Sequence, residues 1–252
     1  MMKIIGSEII EMETINSTNE FAINFCKENK AINGTIVYSK EQTAGKGQDG
    51  NFWESESGKN LSISIILKPK FLEASMCYLL NKAIALGVSD FVKEKFPLIQ
   101  GLVKIKWPND IYIENKKVAG ILIHNSFFGN DFSESIVGIG ININQTFFAS
   151  DAPNPVSFKQ ISNLNYDIKI CLEELTHFLE KRYQLLCDTK FESINEAYRL
   201  NLYRLNVWSY FIVNNQKIYA RILGVSEFGK LIIEQKSKEI IEFDLKEVSF
   251  VI

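Results

Sequence analysis

A glycine-rich loop at residues 41–53 constrains the fold most, because it joins two predicted strands without opening a helix. It reads Glu-Gln-Thr-Ala-Gly-Lys-Gly-Gln-Asp-Gly-Asn-Phe-Trp. Its three glycines permit positive φ, so successive N–H groups can turn toward an anion, and Lys46 adds positive charge there. A dinucleotide-binding fold is excluded, since its glycines must open a helix directly, whereas residues 51–58 are typical of loop. No His-Arg-Asp or Asp-Phe-Gly triplet follows, which excludes a kinase loop. The loop therefore predicts a phosphate-handling site.

Helical and strand patterns alternate on both sides of this loop. Ser17 and Glu20 have the spacing of a capping box, which predicts a helix at about residues 18–28. Apolar residues alternate with Ser62 and Ser64 in a strand that follows the loop. Other strands are predicted at 35–39, 103–106, 110–113, 118–123 and 135–142, and other helices at 72–95, 167–186 and 191–200.

The pattern changes to short alternating strands from about Arg204. Strands are predicted at 207–213, 217–223, 231–234 and 239–243, with turns at 214–215 and 228–229. This pattern is typical of a small β-barrel. We therefore predict two domains, a larger one at residues 1–203 and a barrel at residues 204–252.

Composition limits the class of protein and its partners. The chain has 252 residues, 46% of them hydrophobic, which is enough for a substantial core. A net charge of -2 gives no general attraction to nucleic acid or to an anionic membrane. Four widely spaced cysteines and two histidines argue against a disulfide framework and a zinc site. No leader and no run of about 20 apolar residues is found, so we expect a cytoplasmic protein.

Four segments in order carry a resemblance to a known family. They are Asn16–Asn19, the loop Gln42–Trp53, Lys106-Trp107-Pro108-Asn109-Asp110 with Lys117–Gly120, and Gly138–Asn144. Together they resemble the bacterial biotin–protein ligases, also called biotin–[acetyl-CoA-carboxylase] ligases, over nearly the whole chain. Residues 1–15 leave no room for a helix-turn-helix, so the chain is similar to the short class without a DNA-binding domain.

The resemblance implies an α/β (α+β) catalytic domain, in which helices flank a mixed β-sheet, followed by an SH3-like barrel. It also implies a two-step reaction that uses ATP and Mg²⁺. The carboxylate of the substrate biotin attacks the α-phosphorus of ATP to give biotinyl-5′-AMP, and a lysine of a biotin carboxyl carrier protein then attacks the acyl carbon. Both steps develop negative charge on oxygen, so preorganised cations and N–H donors suit the chemistry.

The resemblance assigns biotin contacts to residues in the first, second and third segments. Ser17, Thr18 and Gln42 would bind the ureido ring. We also expect Ser17 and Thr18 to cap the helix, and that role does not exclude a ligand, because a helix N-terminus can bind polar groups. Gly45 and Lys46 would also contact biotin. Lys106 is the predicted catalytic residue and would meet biotin's carboxylate and the adenylate phosphate. Pro108 restricts Trp107 to extended geometry, which fixes the direction of Lys106.

Nucleotide contacts are assigned in the same way. The predicted residues are Gly47, Gln48, Trp53, Asn109, Asp110, Lys117 and Asn142, with Asp110 also a candidate Mg²⁺ ligand. Asn109 and Asp110 are ordinary turn residues otherwise, and a tryptophan in a loop is often core. Gly138 and Gly140 could mark a strand bulge, or could let a ligand lie close to the sheet.

Three positions depart from the family pattern. Gln48 stands where many relatives have arginine, Asp49 adds a negative charge, and His124 occupies a place that is often acidic. We expect these departures to weaken retention of the adenylate.

Two other functions remain open at this point. A lipoate–protein ligase would share the fold, but its Arg-Arg-x-Ser-Gly-Gly-Gly type of loop is absent. An inactive vitamin-binding regulator is disfavoured by the retained lysines. The expected partners are biotin, ATP and the carrier domain, with no nucleic acid and no membrane. Homodimers are common in the family, yet nothing in the sequence specifies an interface.

Overall fold

The computed structural model describes residues 3–28, 30–129, 131–150 and 154–251. The side chain of Asp49, one of the three departures named above, lies outside what the structure describes.

A seven-stranded sheet forms the centre of the molecule. Its strands are β1 (Ile9–Ile15), β2 (Ile36–Gln42), β3 (Leu61–Leu67), β4 (Val103–Lys106), β5 (Asp110–Ile113), β6 (Lys116–Phe128) and β7 (Asp131–Ile141). The order is β1-β2-β3-β7-β6-β5-β4, with β1 parallel to β2 and every other pairing antiparallel. The predicted mixed sheet is therefore confirmed.

Helices cover both faces of this sheet. They are α1 (Thr18–Lys27), α2 (Cys77–Lys95), α3 (Phe158–Ser162), α4 (Ile168–Cys187) and α5 (Phe191–Leu200). Val37 and Ile66 pack under α1, whereas their neighbours Ile36 and Ile65 belong to the larger core on the opposite face. Ser62 and Ser64 of β3 face α1 and are buried. The alternation of serine and apolar residues along β3 therefore distinguishes two faces of the sheet that are both covered.

The predicted start of the second helix is wrong. We expected it at Leu72, but α2 begins at Cys77 after a single 3₁₀ turn at Ala74–Met76. Glu73 is extended and forms a bridge with Asp131 of β7, and this pairing holds the preceding backbone out of the helix.

A second sheet follows at the carboxyl end of the chain. It contains β8 (Ser209–Val213), β9 (Gln216–Val225), β10 (Leu231–Gln235), β11 (Ile240–Phe243) and β12 (Val248–Phe250), in the antiparallel order β11-β10-β9-β8-β12. Its apolar residues join those of the first sheet in one contiguous core. Trp107 Nε1 donates to Gly229 O at 2.8 Å across the junction. The boundary at residues 203 and 204 stays a prediction.

All four cysteines are free. Within the described ranges, no helix has the length and apolar character that crossing a membrane needs. Among those same residues, no three His, Cys, Asp or Glu side chains cluster as metal ligands.

Candidate active site

A cleft of about 1090 Å³ opens on the α1 face of the large sheet. Every predicted site residue except Gly45 lines it: Ser17, Thr18, Gln42, Lys46, Gly47, Gln48, Trp53, Lys106, Asn109, Asp110, Lys117 and Asn142. Gly45 instead lies against the backbone of Trp53, where a Cβ would overlap the Trp53 carbonyl oxygen. Four sequence segments that are distant along the chain thus meet at one cavity.

The N-terminus of α1 forms one end of the cleft, which we call the α1 end (Ser17, Thr18 and Gln42). Gln42 Oε1 accepts hydrogen bonds from Thr18 N at 2.8 Å and from Thr18 Oγ1 at 3.0 Å. Ser64 Oγ lies 2.8 Å from both Thr18 Oγ1 and Asn19 Oδ1. Ser17 caps the helix, because its Oγ accepts from a first-turn N–H at 3.5 Å. This network fixes the orientation of the Gln42 amide, whose Nε2 donor has no partner among the described residues.

The glycine loop closes on itself as a small hairpin. Lys46 bridges to Phe52, Gly47 N donates to Asn51 O at 2.7 Å, and Trp53 N donates to Gly45 O at 3.0 Å. The predicted row of N–H groups facing an anion is therefore wrong for Gly47, because the hairpin uses that donor. The amine of Lys46 forms an ion pair with the Glu20 carboxylate in the first turn of α1.

Trp53 lies over the glycines of the central strands and forms the other end of the cleft, the Trp53 end (Trp53, Lys117 and Asn142). A Cβ at Gly140 would overlap the Trp53 indole, and one at Gly138 would overlap the Asn19 amide. The space expected for a ligand over these glycines thus holds two side chains. The indole Nε1 is buried and has no hydrogen-bond partner among the described residues.

The two lysines of the cleft have different surroundings. Lys117 Nζ is 2.7 Å from Asp110 Oδ1 and 5.5 Å from the centroid of the Trp53 ring. Lys106 Nζ instead lies 5.1 Å from the Tyr112 ring centroid and 4.9 Å from that of Phe250.

Burial lowers the pKa of the Lys106 amine, the attraction of Asp110 acts to raise it, and the neighbouring cations Lys117 and Arg204 lower it further. The cleft thus holds one lysine paired with a carboxylate and a second, partly desolvated lysine without such a close partner in the described part of the chain.

The two asparagines after β7 have separate surroundings. Asn142 lines the cleft, and its Nδ2 donates to Val156 O at 3.2 Å, so its Oδ1 is the atom left for a ligand. Asn144 does not line the cleft, because its amide bonds both backbone groups of Tyr166. Among the departures, Gln48 lines the cleft, whereas His124 is exposed on β6 outside it. An effect of His124 on a ligand in this cleft is therefore not expected.

Sequence motifs gave no sign of several residues that line the cleft. The strand β12 contributes Val248 and Phe250, the connection before it contributes Leu245, and the connection after β7 contributes Phe148 and Ser150. Phe250 belongs to the three-residue strand β12, which is too short for an alternation pattern to reveal.

Comparisons with known proteins bear on this cleft. A model of the biotin/lipoate A/B protein ligase family matches residues 11–142. The bifunctional ligase/repressor BirA of Bacillus spizizenii is 30% identical over 256 aligned positions, which cover 97% of this chain and 75% of that protein. The biotin–[acetyl-CoA-carboxylase] ligase of Paracoccus denitrificans is 32% identical over 134 positions, covering 51% of each chain.

One solved structure extends the likeness to the whole fold. The biotin protein ligase of Aquifex aeolicus, in complex with biotin and ATP, superposes with a TM-score of 0.77 at 26% identity. The match covers 97% of this chain and 99% of that one, so it includes both sheets.

Proposed function

The chain belongs to the biotin/lipoate A/B protein ligase family, and on that premise we propose that it joins biotin to a lysine of an acceptor protein in an ATP-dependent reaction. The observation that carries the proposal is the convergence of the family's motif residues on one cleft that also holds Lys106 and Lys117. Biotin would occupy the α1 end, and ATP would occupy the Trp53 end.

The first step brings two anions together, and the cleft supplies the charge that this needs. The biotin carboxylate attacks the α-phosphorus of ATP, the bond to the β-phosphate oxygen breaks, and pyrophosphate leaves with the electron pair. Lys106 would stabilise the charge that develops on the phosphoryl oxygens, since a fixed cation in a water-poor site needs no reorganisation. Lys117 would reach the remaining phosphates after exchanging its contact with Asp110.

The polar groups at both ends would hold the substrates in line. The amide Nε2 of Gln42 and the hydroxyl groups of Ser17 and Thr18 can bind a ureido ring. Asn142 Oδ1 and the Trp53 ring can contact the nucleotide. Gly47 and Gln48 form the rim above, and Gly45 and Lys46 hold the base of the loop.

Mg²⁺ fits this arrangement as a companion of ATP. Proteins usually hold it by one or two carboxylates together with substrate phosphates. Asp110 supplies one such carboxylate at the cleft, and Asn109 Nδ2 donates to Ile121 O, which leaves Asn109 Oδ1 for the nucleotide or the ion.

The acceptor in the second step would be a biotin carboxyl carrier domain of a biotin-dependent carboxylase. The attacking lysine amine must lose a proton and displaces AMP from the acyl carbon, so the acceptor has to reach the bound intermediate. We also propose a cytoplasmic location, which is consistent with four free cysteines.

Transfer of labelled biotin tests the proposal. Purified protein, ATP, Mg²⁺ and labelled biotin should label a carrier domain, and a carrier with arginine in place of its acceptor lysine should stay unlabelled. Absence of labelling on the intact carrier would overturn the second step of the proposal.

A further inference from the structure

Glu54, the residue after Trp53, binds part of the connection that follows β7. Its Oε1 accepts hydrogen bonds from Gln145 Nε2 at 3.1 Å and from Ala149 N at 2.9 Å, and its Oε2 accepts from Ser150 N at 2.7 Å. One carboxylate thus holds two backbone N–H groups and one amide of residues 145–150, which we call segment 145–150.

A second polar contact runs between the same two parts of the chain. Gln145 is buried, and its Oε1 accepts from Glu56 N at 3.0 Å and from Asn60 Nδ2. Its Nε2 also donates to Phe147 O at 2.8 Å within the segment. Hydrogen bonds therefore join the end of the glycine loop to segment 145–150 from both directions.

Segment 145–150 contains no helix or strand, and the Phe147 side chain is 75% exposed. Besides the contacts above, Gln160 Nε2 of α3 donates to Thr146 O at 3.0 Å. Phe148 and Ser150 nevertheless line the cleft. A loop without secondary structure or a buried apolar anchor is expected to open readily. Gln145 and Thr146 are held by other hydrogen bonds, whereas the backbone N–H groups of Ala149 and Ser150 bond to Glu54, so this carboxylate constrains the end of the segment.

Glu54 keeps its charge at neutral pH. Burial works to raise the pKa of this carboxyl, but the hydrogen bonds from Ser150, Ala149 and Gln145 outweigh burial and hold the pKa below its usual value. Hydrogen bonds to an ionised acceptor are about twice as strong as those between neutral groups.

We propose that Glu54 is a positioning residue that fixes segment 145–150 as a wall of the Trp53 end, so that the glycine loop and this segment are ordered together. The assignment of that end to ATP rests on the proposed function. Glu54 also lines the cleft, but both of its carboxylate oxygens bond to segment 145–150, so it acts through the segment.

Glu54→Gln tests the proposal, with Glu56→Gln as the matched control. Both variants remove one negative charge from the same loop, but the Glu56 side chain is exposed and does not contact segment 145–150. In Glu54→Gln, hydrogen–deuterium exchange at the amides of Ala149 and Ser150 should be about tenfold faster or more, the scale of losing charge-assisted hydrogen bonds. The KM for ATP in pyrophosphate exchange should rise by about tenfold, with the KM for biotin within twofold of wild type.

Unchanged amide exchange in Glu54→Gln would overturn the proposal, and so would faster amide exchange with an unchanged KM for ATP. Equal effects in Glu56→Gln would also overturn it, because the cause would then be charge and not the contacts of Glu54. If the wild-type protein shows no biotin-dependent reaction, the proposed function fails, and amide exchange alone then decides whether Glu54 holds the segment.

Discussion

Lys106 and Lys117 illustrate how two similar residues differ once their surroundings are known. Lys117 is neutralised by Asp110 at 2.7 Å, whereas Lys106 faces two aromatic rings and has a lowered pKa. A partly desolvated cation without a close counter-ion interacts strongly with an incoming anion, because less water screens it. We therefore assign the larger electrostatic role to Lys106.

Lys106→Ala should lower the rate of biotin-dependent pyrophosphate exchange by about 10² or more, the scale of losing one preorganised electrostatic group. Lys104→Ala is the control, since Lys104 lies on the same face of β4 outside the cleft. Circular dichroism should show both variants folded. An exchange rate for Lys106→Ala within a few-fold of Lys104→Ala would contradict the catalytic role.

Gln48 should affect how fast biotinyl-adenylate dissociates. A neutral side chain holds a phosphate less strongly than arginine, by part of the roughly 1.5–3 kcal/mol of a charge-assisted hydrogen bond. Gln48→Arg, and further Gln48→Arg with Asp49→Arg, should slow dissociation of preformed biotinyl-adenylate in the absence of carrier. His124→Glu should leave that rate unchanged, because His124 lies outside the cleft. Equal dissociation from all these variants and wild type would show that residue 48 does not hold the adenylate.

At the scale of elements, the central strand β7 shapes the floor of the cleft through two glycines. Their missing side chains admit the Asn19 amide and the Trp53 indole. The glycine loop is thus placed by direct contact between Trp53 and the sheet, as well as by its own hairpin bonds.

Gly140→Ala should displace the Trp53 indole, since a Cβ there would overlap the ring. We expect a larger fraction of tryptophan fluorescence to be quenched by acrylamide, together with slower pyrophosphate exchange. Gly101→Ala is the matched control, because a Cβ at Gly101 meets open space. Equal quenching in the two variants would mean that Trp53 does not rest on Gly140.

The sequence predicted the elements with strong periodic patterns and missed those held by tertiary contacts. α5 agrees with prediction at both ends, and α1 and α4 agree within a residue, because apolar periodicity marks all three and side-chain caps also mark α1 and α4. β1 was missed, since glutamates alternate with apolar residues along this edge strand and none of its residues is buried. α3 and β12 have five and three residues, too few for a periodic signal.

The same distinction applies to the cleft. Motifs identified the residues whose chemistry is carried by their own type and spacing, such as Lys106 and Gln42. Phe250 reaches the cleft only when the second sheet packs on the first, and Glu54 contacts Ser150 only when two distant loops meet. No local pattern could reveal such contacts.

Lys82 is a buried lysine that links α2 to α5 and lowers the stability of the folded protein. Its side chain is 4% exposed on α2, and its Nζ donates to Asn195 Oδ1 of α5 at 2.8 Å and lies 5.5 Å from the Tyr78 ring centroid. Burial lowers the pKa of this amine to about 8, although Glu227 acts to raise it. Desolvation of such a buried cation lowers the free energy of unfolding at every pH where the amine stays charged.

The pH dependence of stability follows from that pKa. Between about 8 and the ordinary value of 10.5, the unfolded chain binds more protons at Lys82 than the folded chain, so the free energy of unfolding rises with pH. Lys82→Met lacks this contribution. The stability of the variant relative to wild type should therefore fall by about 2 kcal/mol between pH 7 and pH 9.5. Urea denaturation at both pH values measures it, and a difference that is independent of pH would contradict a buried, destabilised cation.

The second sheet also forms part of the cleft, because Phe250 contacts Lys106 and Val248 lines the cleft. We propose that residues 204–252 form a separate domain that packs on the first one and completes the cleft. The shared core and the Trp107–Gly229 hydrogen bond support a fixed arrangement of the two parts.

Activation of biotin by ATP in this cleft can be measured directly. Exchange of labelled pyrophosphate into ATP by the purified protein measures that step alone, without any acceptor. We predict exchange that requires Mg²⁺, depends on biotin and is not supported by lipoate. Exchange with lipoate in place of biotin would assign the chain to the other activity of its family, and absence of exchange with either vitamin would contradict adenylation of biotin in this cleft.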